Sequence, residues 1–382
     1  MDALSIEFHP VRPPMPSYDD AEELGRVVEE LMEPRQGSER VMQLLLPHLH
    51  DIYDDLDSAT EGADLLLTHP LPLLGPVVAQ KKRLRWVSSV LAPTSFFSVY
   101  DPIVPPQWPG LYKALRLSPW VGRAVMAVAT KKLDKLMRPV YEMRAELGLP
   151  RGEQPLLGGQ HSPTCVLALF SKVLAAPQKD WPEHSIVTGF PFYDRRDFFG
   201  ETAIAKEVVA FLDAGDPPIV FTLGSSAFWV ARNFYRDSIE AARALGKRAL
   251  LLIGHSRNLP AEELPPGVAA FEYAPYSEVL PRACAVVHQG GVGTTGQGLR
   301  SGKPVLILPH AHDQFDNAAR VVRLGCGRTI PRPQYSVATA TTELRALLNN
   351  QSYAERAAEI GEVVRQENGA SVAVDAIERV LN

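Results

Sequence analysis

The sequence has few cysteines, no long apolar run and no excess of positive charge. Its three cysteines lie far apart without CxxC spacing, which argues against a disulfide framework or a thiolate metal site. No uninterrupted apolar run approaches the roughly 20 residues of a membrane-spanning helix. The 39 basic and 44 acidic residues give a formal charge of −5, which argues against a general nucleic-acid binder.

The first ten residues show neither the basic flank nor the apolar core of a signal peptide. Together with the scattered cysteines, this predicts a cytoplasmic protein whose thiols are reduced. The sequence predicts no metal site and no membrane span, leaves peripheral membrane contact open, and does not indicate an oligomeric state.

The chain is long enough for two α/β domains, because its 382 residues can bury two cores of ordinary size. In the first half, Ala21 to Leu56 has helical periodicity, and a helix is predicted from Trp120 to Leu147. Asp64 to Thr68 and Arg85 to Val90 are apolar runs typical of buried strands, with a helix near residues 73–82 between them. Strand, helix and strand in this order predict a parallel βαβ unit, and Cys165 to Phe170 is a further predicted strand.

After a turn-rich stretch near residue 200, strands and helices alternate regularly. Apolar runs begin at Ile219, Ala249, Val268, Ala285 and Val305, and a further short strand is predicted at Gly327 to Ile330. This rhythm predicts a doubly wound, Rossmann-like domain. We predict a first domain over residues 1–199, a linker over 200–217, a second domain over 218–366, and a C-terminal helix over 367–382 that packs back on the first.

Four loops of the second domain follow strands and carry polar or glycine-rich sequence. They begin at Leu223, Tyr273, His288 and His310. Ligands of open parallel sheets bind at the carboxyl ends of the strands. The loop His288-Gln289-Gly290-Gly291-Val292-Gly293-Thr294-Thr295 can bring backbone N–H groups at a helix start to a phosphate. The competing interpretation is a plain tight turn, and the loop is neither a P-loop nor the dinucleotide fingerprint.

Two further pairs of residues have both a structural and a functional interpretation. Asp313 and Gln314 begin a predicted helix, so the acid is consistent with a helix cap, yet an acid and an amide side by side can also bind sugar hydroxyls. Tyr273 and Tyr276 are consistent with ordinary packing and equally with a flat face for a nucleobase.

The ordered set from Val286 to Thr295, Gly302-Lys303-Pro304, Pro309 and Asp313-Gln314-Phe315-Asp316-Asn317 resembles a known signature. It is similar to the donor-binding signature of the GT-B glycosyltransferases that act in plant secondary metabolism, antibiotic synthesis and sterol glycosylation. The resemblance implies an α/β fold of two Rossmann-like, doubly wound domains that face each other across a cleft. Residues 1–199 would then bind the acceptor, and residues 218–366 would bind the nucleotide sugar.

The resemblance also implies roles for individual residues. Tyr273 would stack on the base, with Tyr276 as a neighbouring contact, and Asp313 and Gln314 would bind the sugar hydroxyls. The predicted contacts of the diphosphate are Ser225, Gln289, Gly291, Gly293 and Thr294. Gln289 stands where the family usually has histidine. Gln297 stands where a glutamate usually binds the ribose, which puts discrimination between nucleotides in question.

Full-length relatives open with a strand, a glycine loop bearing a catalytic histidine, a helix and a second strand. This chain is expected to start after them, so that residues 6–11 match the family's third segment and the first domain is incomplete. His69, at a predicted strand end, is the nearest candidate for a catalytic role, against the interpretation of a surface histidine before proline. Phe96 and Phe97 are predicted to line the acceptor pocket, against simple core packing.

These observations predict an inverting hexosyltransferase that uses a UDP- or dTDP-sugar as co-substrate, without a cofactor or a catalytic metal, and acts on a hydroxyl of a lipophilic small molecule. A non-catalytic nucleotide-sugar-binding or helper subunit is the alternative, because the general-base histidine is expected to be missing. An epimerase on the same fold would need acid and base carboxylates that the sequence does not identify. The run Asp54-Asp55-Leu56-Asp57 resembles an acidic metal motif, but a solvated helix face is the favoured interpretation.

Overall fold

The structure, a computed structural model, describes residues 6–17, 19–193, 205–260 and 263–382. These residues form two compact units. The first unit comprises the described parts of Met1–Asp20, Arg35–Pro191 and Asn368–Asn382, and the second those of Ala21–Pro34 and Phe192–Glu367.

Helices account for much of both units. In chain order they are α1 (Ala21–Leu31), α2 (Gly37–Leu45), α3 (Leu49–Ala59), α4 (Gly75–Lys82), α5 (Leu111–Leu115), α6 (Pro119–Leu136), α7 (Arg138–Glu146), α8 (Lys206–Asp213), α9 (Phe234–Ala244), α10 (Tyr276–Val279), α11 (Val292–Ser301), α12 (Gln314–Leu324), α13 (Val337–Asn349), α14 (Gln351–Gln366) and α15 (Gly369–Leu381). No described helix is both long enough and apolar enough to span a bilayer.

The strands form two parallel sheets, one in each unit. The first sheet has the order β1-β2-β3-β4, with β1 (Leu65–Thr68), β2 (Arg85–Val90), β3 (Val166–Ala168) and β4 (Ser185–Val187). The second sheet has the order β10-β9-β8-β5-β6-β7, with β5 (Ile219–Thr222), β6 (Ala249–Leu252), β7 (Val268–Phe271), β8 (Ala285–His288), β9 (Val305–Ile307) and β10 (Gly327–Thr329).

The first unit has one apolar cluster on its sheet and another among its helices. On one face, Val87 of β2 and Leu167 of β3 form a cluster with Ala376 of α15. A separate cluster fills the space among α2, α3, α4 and α7, with Leu74 and Met137 at its centre. Continuous apolar strands such as Leu65–Thr68 are typical of parallel sheets that are covered by helices.

The second unit is a doubly wound sheet whose strand order reverses between β5 and β8. Chain neighbours β5, β6 and β7 extend to one side of β5, whereas β8, β9 and β10 extend to the other. Ile219 of β5 pairs with Ala249 of β6 and with Ala285 of β8. In such sheets the loops after the two strands at the reversal diverge and leave a crevice at their carboxyl ends, and this crevice positions the candidate site.

Several elements differ from the sequence-based predictions. The helical stretch from Ala21 to Leu56 is three helices, because prolines at positions 34 and 47 interrupt it. Helix α1 lies in the second unit, although residues 1–199 were assigned to the first domain. Strand β4 was not predicted, and residues 6–11 form neither helix nor strand. The proposed linker overlaps residues 194–204, which lie outside the described residues.

Candidate functional site

The four loops singled out in the sequence lie at the carboxyl edge of the six-stranded sheet. They follow β5, β7, β8 and β9, and all the strands of this sheet run in the same direction. Loops after β5 and β8 flank the point where the strand order reverses, so the Gly224 and Gln289 loops are neighbours in space although 65 residues separate them in sequence. The topology therefore brings together polar and glycine-rich loops from distant parts of the chain.

Gly224 is a position where these two loops approach closely. Its φ is +65°, in the left-handed region, and a Cβ there would lie 2.1 Å from Nε2 of Gln289 and 3.1 Å from Oγ1 of Thr294. The Gln289 amide in turn donates to the Thr294 hydroxyl at 3.3 Å. Only glycine fits this backbone and this spacing, so the loop after β5 is held against the start of α11.

Helix α11 begins at the crevice without a side-chain cap. Its N-cap is Gly291, which has no side chain to cap the helix. The Asp313 carboxylate accepts from the backbone N–H of Val292. Gly293 is exposed, and a Cβ added there would have no described atom within 4 Å. The helix start is therefore open at Gly293, where the positive end of the helix dipole favours an anion.

Asp313 is held beside this helix start by Asn317. The Asn317 side-chain amide donates to Asp313 Oδ2 at 2.7 Å and to the carbonyl of Gly290 at 2.9 Å. Burial raises the pKa of Asp313 to about 6, against the opposing effect of its hydrogen bonds. The Asp313 carboxyl is therefore fixed in direction and titrates close to neutral pH.

Gln314 shapes the loop that follows β9. Its side-chain oxygen accepts from the backbone N–H groups of His310 at 2.8 Å and Ala311 at 3.3 Å. Because the oxygen is used inside the loop, the amide nitrogen is the part of Gln314 that can donate to a ligand. Asp313 and Gln314 thus offer an acceptor and a donor on adjacent residues, at the start of α12.

The two tyrosines have different environments. Tyr273 follows β7 and is 38% exposed. Tyr276 is half-buried, and its hydroxyl lies 2.9 Å from the Thr222 hydroxyl at the end of β5 and also bonds to Thr294. Burial raises the pKa of Tyr276. Tyr276 therefore ties β5 to α11, whereas the Tyr273 ring is accessible to a planar ligand.

The remaining predicted residues divide between the surface and the interior. Ser225 is exposed in the loop after β5. Gln289 is 4% exposed and Gln297, in the second turn of α11, is 7% exposed. The structure thus brings the predicted donor-site residues to one edge of the sheet, with Gln289 and Gln297 behind the surface rather than on it. Their individual roles stay predictions.

Three buried polar atoms around the start of α11 have no hydrogen-bond partner among the described residues. They are Oε1 of Gln289, Oγ1 of Thr295 and Oδ1 of Asn317. Buried polar atoms are nearly always hydrogen-bonded in folded proteins. Their concentration here is the pattern expected of a site that binds a polar group.

Helix α1 supports the loop that carries Asp313. Leu24 of α1 belongs to the same core cluster as Trp229 and Ala311, and the backbone of Leu31 hydrogen-bonds to the His312 side chain. His312 has a φ of +52°, an unusual conformation for a residue with a Cβ. The α1 helix is also held by Arg232, which pairs with Glu29 at 2.7 Å. No pattern in the sequence indicates that residues before position 35 pack here.

In the first unit, His69 follows β1 and is half-buried. Its Nδ1 accepts from the backbone N–H of Leu71 at 3.2 Å, and burial lowers its pKa. A neutral histidine that accepts at Nδ1 carries its proton on Nε2. In this geometry the outward nitrogen is a hydrogen-bond donor rather than a base, and the catalytic role of His69 stays a prediction.

Phe96 and Phe97 both border a cavity of about 730 Å³ in the first unit. Phe96 is 7% exposed and stacks on Trp181 with ring centroids 4.0 Å apart, so it is a core residue as well as part of the cavity wall. Phe97 is half-buried, with a φ of +48°. His161, whose pKa burial lowers to about 4, and Trp86 line the same cavity.

Cationic side chains contact two residues of the acidic run Asp54-Asp55-Leu56-Asp57 on α3. Arg12 donates to Asp55 at 2.7 Å and 2.9 Å, and this contact lowers the pKa of Asp55 to about 2. Lys82 lies 3.3 Å from Asp57. Within the described residues, no group of three or more histidine, cysteine or acidic side chains is arranged to hold a metal ion.

Comparison with known proteins gives a family match over part of the chain. Residues 240–378 match the family described as erythromycin biosynthesis protein CIII-like, C-terminal domain. The chain is 29% identical over 334 residues to O-mycaminosyltylonolide 6-deoxyallosyltransferase of Streptomyces fradiae, a match that covers 86% of this chain and 75% of that protein. These matches support the resemblance that the donor-loop motifs indicate.

A second relative is much longer than this chain. Sterol 3-beta-glucosyltransferase of Leptosphaeria maculans is 26% identical over 351 residues, which cover 87% of this chain but only 23% of that enzyme. Among solved structures, the glycosyltransferase VinC in complex with dTDP matches with a TM-score of 0.63 and 18% identity, covering 97% of this chain and 86% of that one. The predicted fold class, with two Rossmann-like parallel sheets, is confirmed.

Proposed function

We propose that this chain, a relative of the GT-B nucleotide-sugar-dependent glycosyltransferases, transfers a hexose from a UDP- or dTDP-sugar to a hydroxyl of a lipophilic small molecule. One observation carries the proposal. The uncapped start of α11 lies at the reversal of the six-stranded sheet, between the tight Gly224–Gln289 contact and the Asp313 carboxyl. That arrangement offers donors for a diphosphate beside acceptors for a sugar.

In this proposal the diphosphate binds at the start of α11. The N–H groups of Gly293 and Thr294 donate to phosphate oxygens, and the exposed Ser225 hydroxyl adds a donor from the loop after β5. The same groups stabilise the negative charge that develops on the departing diphosphate, since they are oriented before the reaction begins. Gln289 acts indirectly, by fixing the Thr294 hydroxyl at 3.3 Å.

The base and the sugar would bind on either side of the diphosphate. The exposed ring of Tyr273 provides a surface on which uracil or thymine stacks. Asp313 accepts from sugar hydroxyls, and the Gln314 amide nitrogen donates to them. The dTDP complex of VinC supports a thymidine or uridine diphosphate donor, as a property of that structural relative.

The acceptor would bind in the first unit, in the cavity bordered by Phe96, Phe97, Trp86 and Trp181. The aromatic and apolar part of the wall suits a lipophilic molecule, and Gln80, Arg144, Glu153, His161 and Asp180 supply polar groups to the same lining. The two named relatives are a deoxyallosyltransferase of a macrolide precursor and a sterol glucosyltransferase, which supports this acceptor class. We also propose inversion at the anomeric carbon, a cytoplasmic location, and turnover without a cofactor or a catalytic metal.

The donor site is tested by calorimetry with UDP, dTDP and their glucose conjugates. We expect binding of at least one of these in the micromolar to millimolar range, and a loss of about ten-fold or more in Gly293→Ala, because the added methyl faces the phosphate position. Alanine should fold as well as glycine at this helical position, and thermal unfolding checks this. No binding of either nucleotide at millimolar concentration would refute the donor site.

Catalysis is measured separately, by mass-spectrometric detection of glycosylated product from UDP-glucose or dTDP-rhamnose with a panel of macrolide and sterol acceptors. Product formation supports the transferase. Nucleotide-sugar binding without product for any acceptor, in a chain with normal thermal unfolding, contradicts turnover by this chain.

A further inference from the structure

Helix α6 of the first unit has an exposed face with an unusual distribution of side chains. Its first three turns expose apolar residues, and its last turn exposes lysines. Trp120 is 75% exposed and Val128 is 72% exposed, and Leu117, just before the helix, is 81% exposed. We call this surface the α6 outer face; it consists of Leu117, Trp120, Val121, Ala124, Ala127, Val128, Lys131, Lys132 and Lys135.

Spacing shows that these residues share one side of the helix. Positions 120, 124, 128, 131 and 135 follow one another at intervals of three or four, which places them on one stripe. Soluble proteins scatter exposed apolar residues singly, whereas a contiguous exposed patch marks an interaction surface. The α6 outer face is therefore a candidate contact surface rather than ordinary exposure.

The charge around this surface is predominantly positive. Lys113 and Arg116 on and after α5, with Arg123 and the three lysines of the outer face, are all exposed cations. The acidic residue of α6 is Asp134, which is half-buried, accepts from the Tyr141 hydroxyl at 2.6 Å and pairs with Arg151 at 3.2 Å. The segment thus carries six cations and one engaged acid in a chain whose net charge is −5.

The opposite face of α6 borders the cavity of the first unit. Met126 lines the cavity, and Gly122 is buried against Val99, where a Cβ would lie 3.1 Å from that side chain. A surface that binds the outer face would therefore be one helix diameter, about 10 Å, from the cavity. The cavity would then lie close to any surface that binds the α6 outer face.

We propose that the α6 outer face docks on an anionic lipid bilayer. Exposed tryptophan prefers the headgroup region, where its ring is apolar and its N–H stays hydrated. Apolar residues and flanking lysines on one side of a helix allow it to lie in the interface plane, and each lysine adds attraction to anionic headgroups. Arg123, whose guanidinium lies 4.9 Å from the Trp120 ring centroid, adds a further cation.

A second copy of the chain fits this surface less well. A two-fold symmetric contact places the same patch on both sides, so it would bring the cations of one copy against those of the other, while the one acid of α6 already pairs with Arg151. The advantage of membrane docking to a lipophilic acceptor rests on the proposed function, since a cavity beside the bilayer can receive molecules dissolved in it. The docking itself does not depend on that function.

The experiment is vesicle flotation of the full chain at 0.1 M salt, with no nucleotide present. Vesicles are pure phosphatidylcholine or phosphatidylcholine with 30% phosphatidylglycerol. We expect binding only to the anionic vesicles, and weaker binding at 0.5 M salt because the charges are screened. Lys131→Glu/Lys132→Glu should lower the partition coefficient by about ten-fold or more, and Trp120→Ser/Val128→Ser by a similar factor.

Matched controls change the same residue types elsewhere. Lys172→Glu/Lys206→Glu reverses two exposed lysines, and Val363→Ser/Val374→Ser removes two exposed valines; both should bind vesicles as the unchanged chain does. Thermal unfolding verifies that every variant folds. The proposal is overturned if the unchanged chain ignores anionic vesicles, if the α6 variants bind equally well, or if Trp120→Ser/Val128→Ser only dissociates a dimer. Calorimetry with UDP on the same samples shows separately whether the donor site is intact.

Discussion

The carboxyl edges of the two sheets are built in different ways. At the edge of the six-stranded sheet, short contacts join loops that are distant in sequence, as between Gly224 and Gln289 or between Asn317 and the Gly290 carbonyl. At the edge of the four-stranded sheet, the loops after β2 and β3 are joined by Asp180, which accepts from the Ser98 hydroxyl and the Val99 N–H at 2.7 Å. The walls there are aromatic, with Phe96 and Trp181 stacked at a centroid distance of 4.0 Å.

The difference follows from what each proposed ligand requires of its binding site. A diphosphate requires backbone N–H groups at a helix start and glycines that allow close approach, and these requirements fix a short sequence pattern. A lipophilic acceptor requires only a cavity of suitable shape, which many combinations of side chains can form. The edge of the six-stranded sheet is therefore sensitive to single atoms, whereas the edge of the four-stranded sheet tolerates change.

The largest effect is expected for Gly224→Ala. The new methyl would lie 2.1 Å from the Gln289 amide, so the loops after β5 and β8 must separate. We expect UDP or dTDP affinity to fall about 100-fold, equivalent to about 2.7 kcal/mol, as measured by calorimetry.

Gly246→Ala is the matched control for that variant. Gly246 has a φ of +63° against +65° for Gly224, but no described atom lies within 4 Å of its Cβ position. Both variants incur the left-handed backbone cost of about 1 kcal/mol in thermal unfolding, while only Gly224→Ala should lose nucleotide. Equal nucleotide affinities of the two variants would contradict the close approach as the basis of the site.

An intermediate effect is expected for Asp313, and it depends on pH. Because burial raises the pKa of Asp313 to about 6, the carboxylate is present above that pH and becomes protonated below it. We expect the affinity for UDP-glucose to fall by about ten-fold as the pH drops from 7.5 to 5, while the affinity for UDP changes much less, since hydrogen bonds to a charged group contribute about 1.5–3 kcal/mol.

Asp313→Asn removes the titrating group but keeps its shape. We expect this variant to bind UDP-glucose weakly at every pH, with no difference in pH dependence between the sugar nucleotide and UDP. A pH step that persists in Asp313→Asn would show that another group is responsible.

The smallest effect is expected at the other sheet. Phe97→Ala removes half-buried cavity wall without disturbing the Phe96 stack. We expect KM for the acceptor to rise by about three- to ten-fold, while calorimetric affinity for UDP changes by less than two-fold. A loss of nucleotide affinity equal to that of Gly224→Ala would show that the two edges are not independent in the way proposed.

Much of the second unit could be predicted from sequence, because its strands, glycine turns and helix starts are local signals. The predicted strand from Ile219 to Leu223 is β5, and the glycine loop after His288 lies at the carboxyl end of β8, as predicted. The relatives confirm the predicted resemblance and fold class, and they are themselves transferases, as the interpretation of this chain expects.

Contacts between distant residues could not be predicted, since no local pattern encodes them. Periodicity shows that residues 21–31 are helical but not that Leu24 packs beside Trp229 in the second unit. Nor does the sequence show that Tyr276 uses its hydroxyl to join Thr222 and Thr294, or that the Gln314 oxygen is consumed by its own loop. The individual site roles, including that of His69, stay predictions.

The early position of α1 has a consequence for how the polypeptide reaches its native state. Arg257 bonds to the Ala21 carbonyl across 236 residues, and α15 completes the apolar cluster around Val87. Closing a loop of 200 residues rather than 20 costs only about 2 kcal/mol more entropy, but such non-local contacts slow folding. During synthesis, α1 must wait for the sheet that holds it and β2 must wait for α15, so each unit is completed by a segment made long after its first elements.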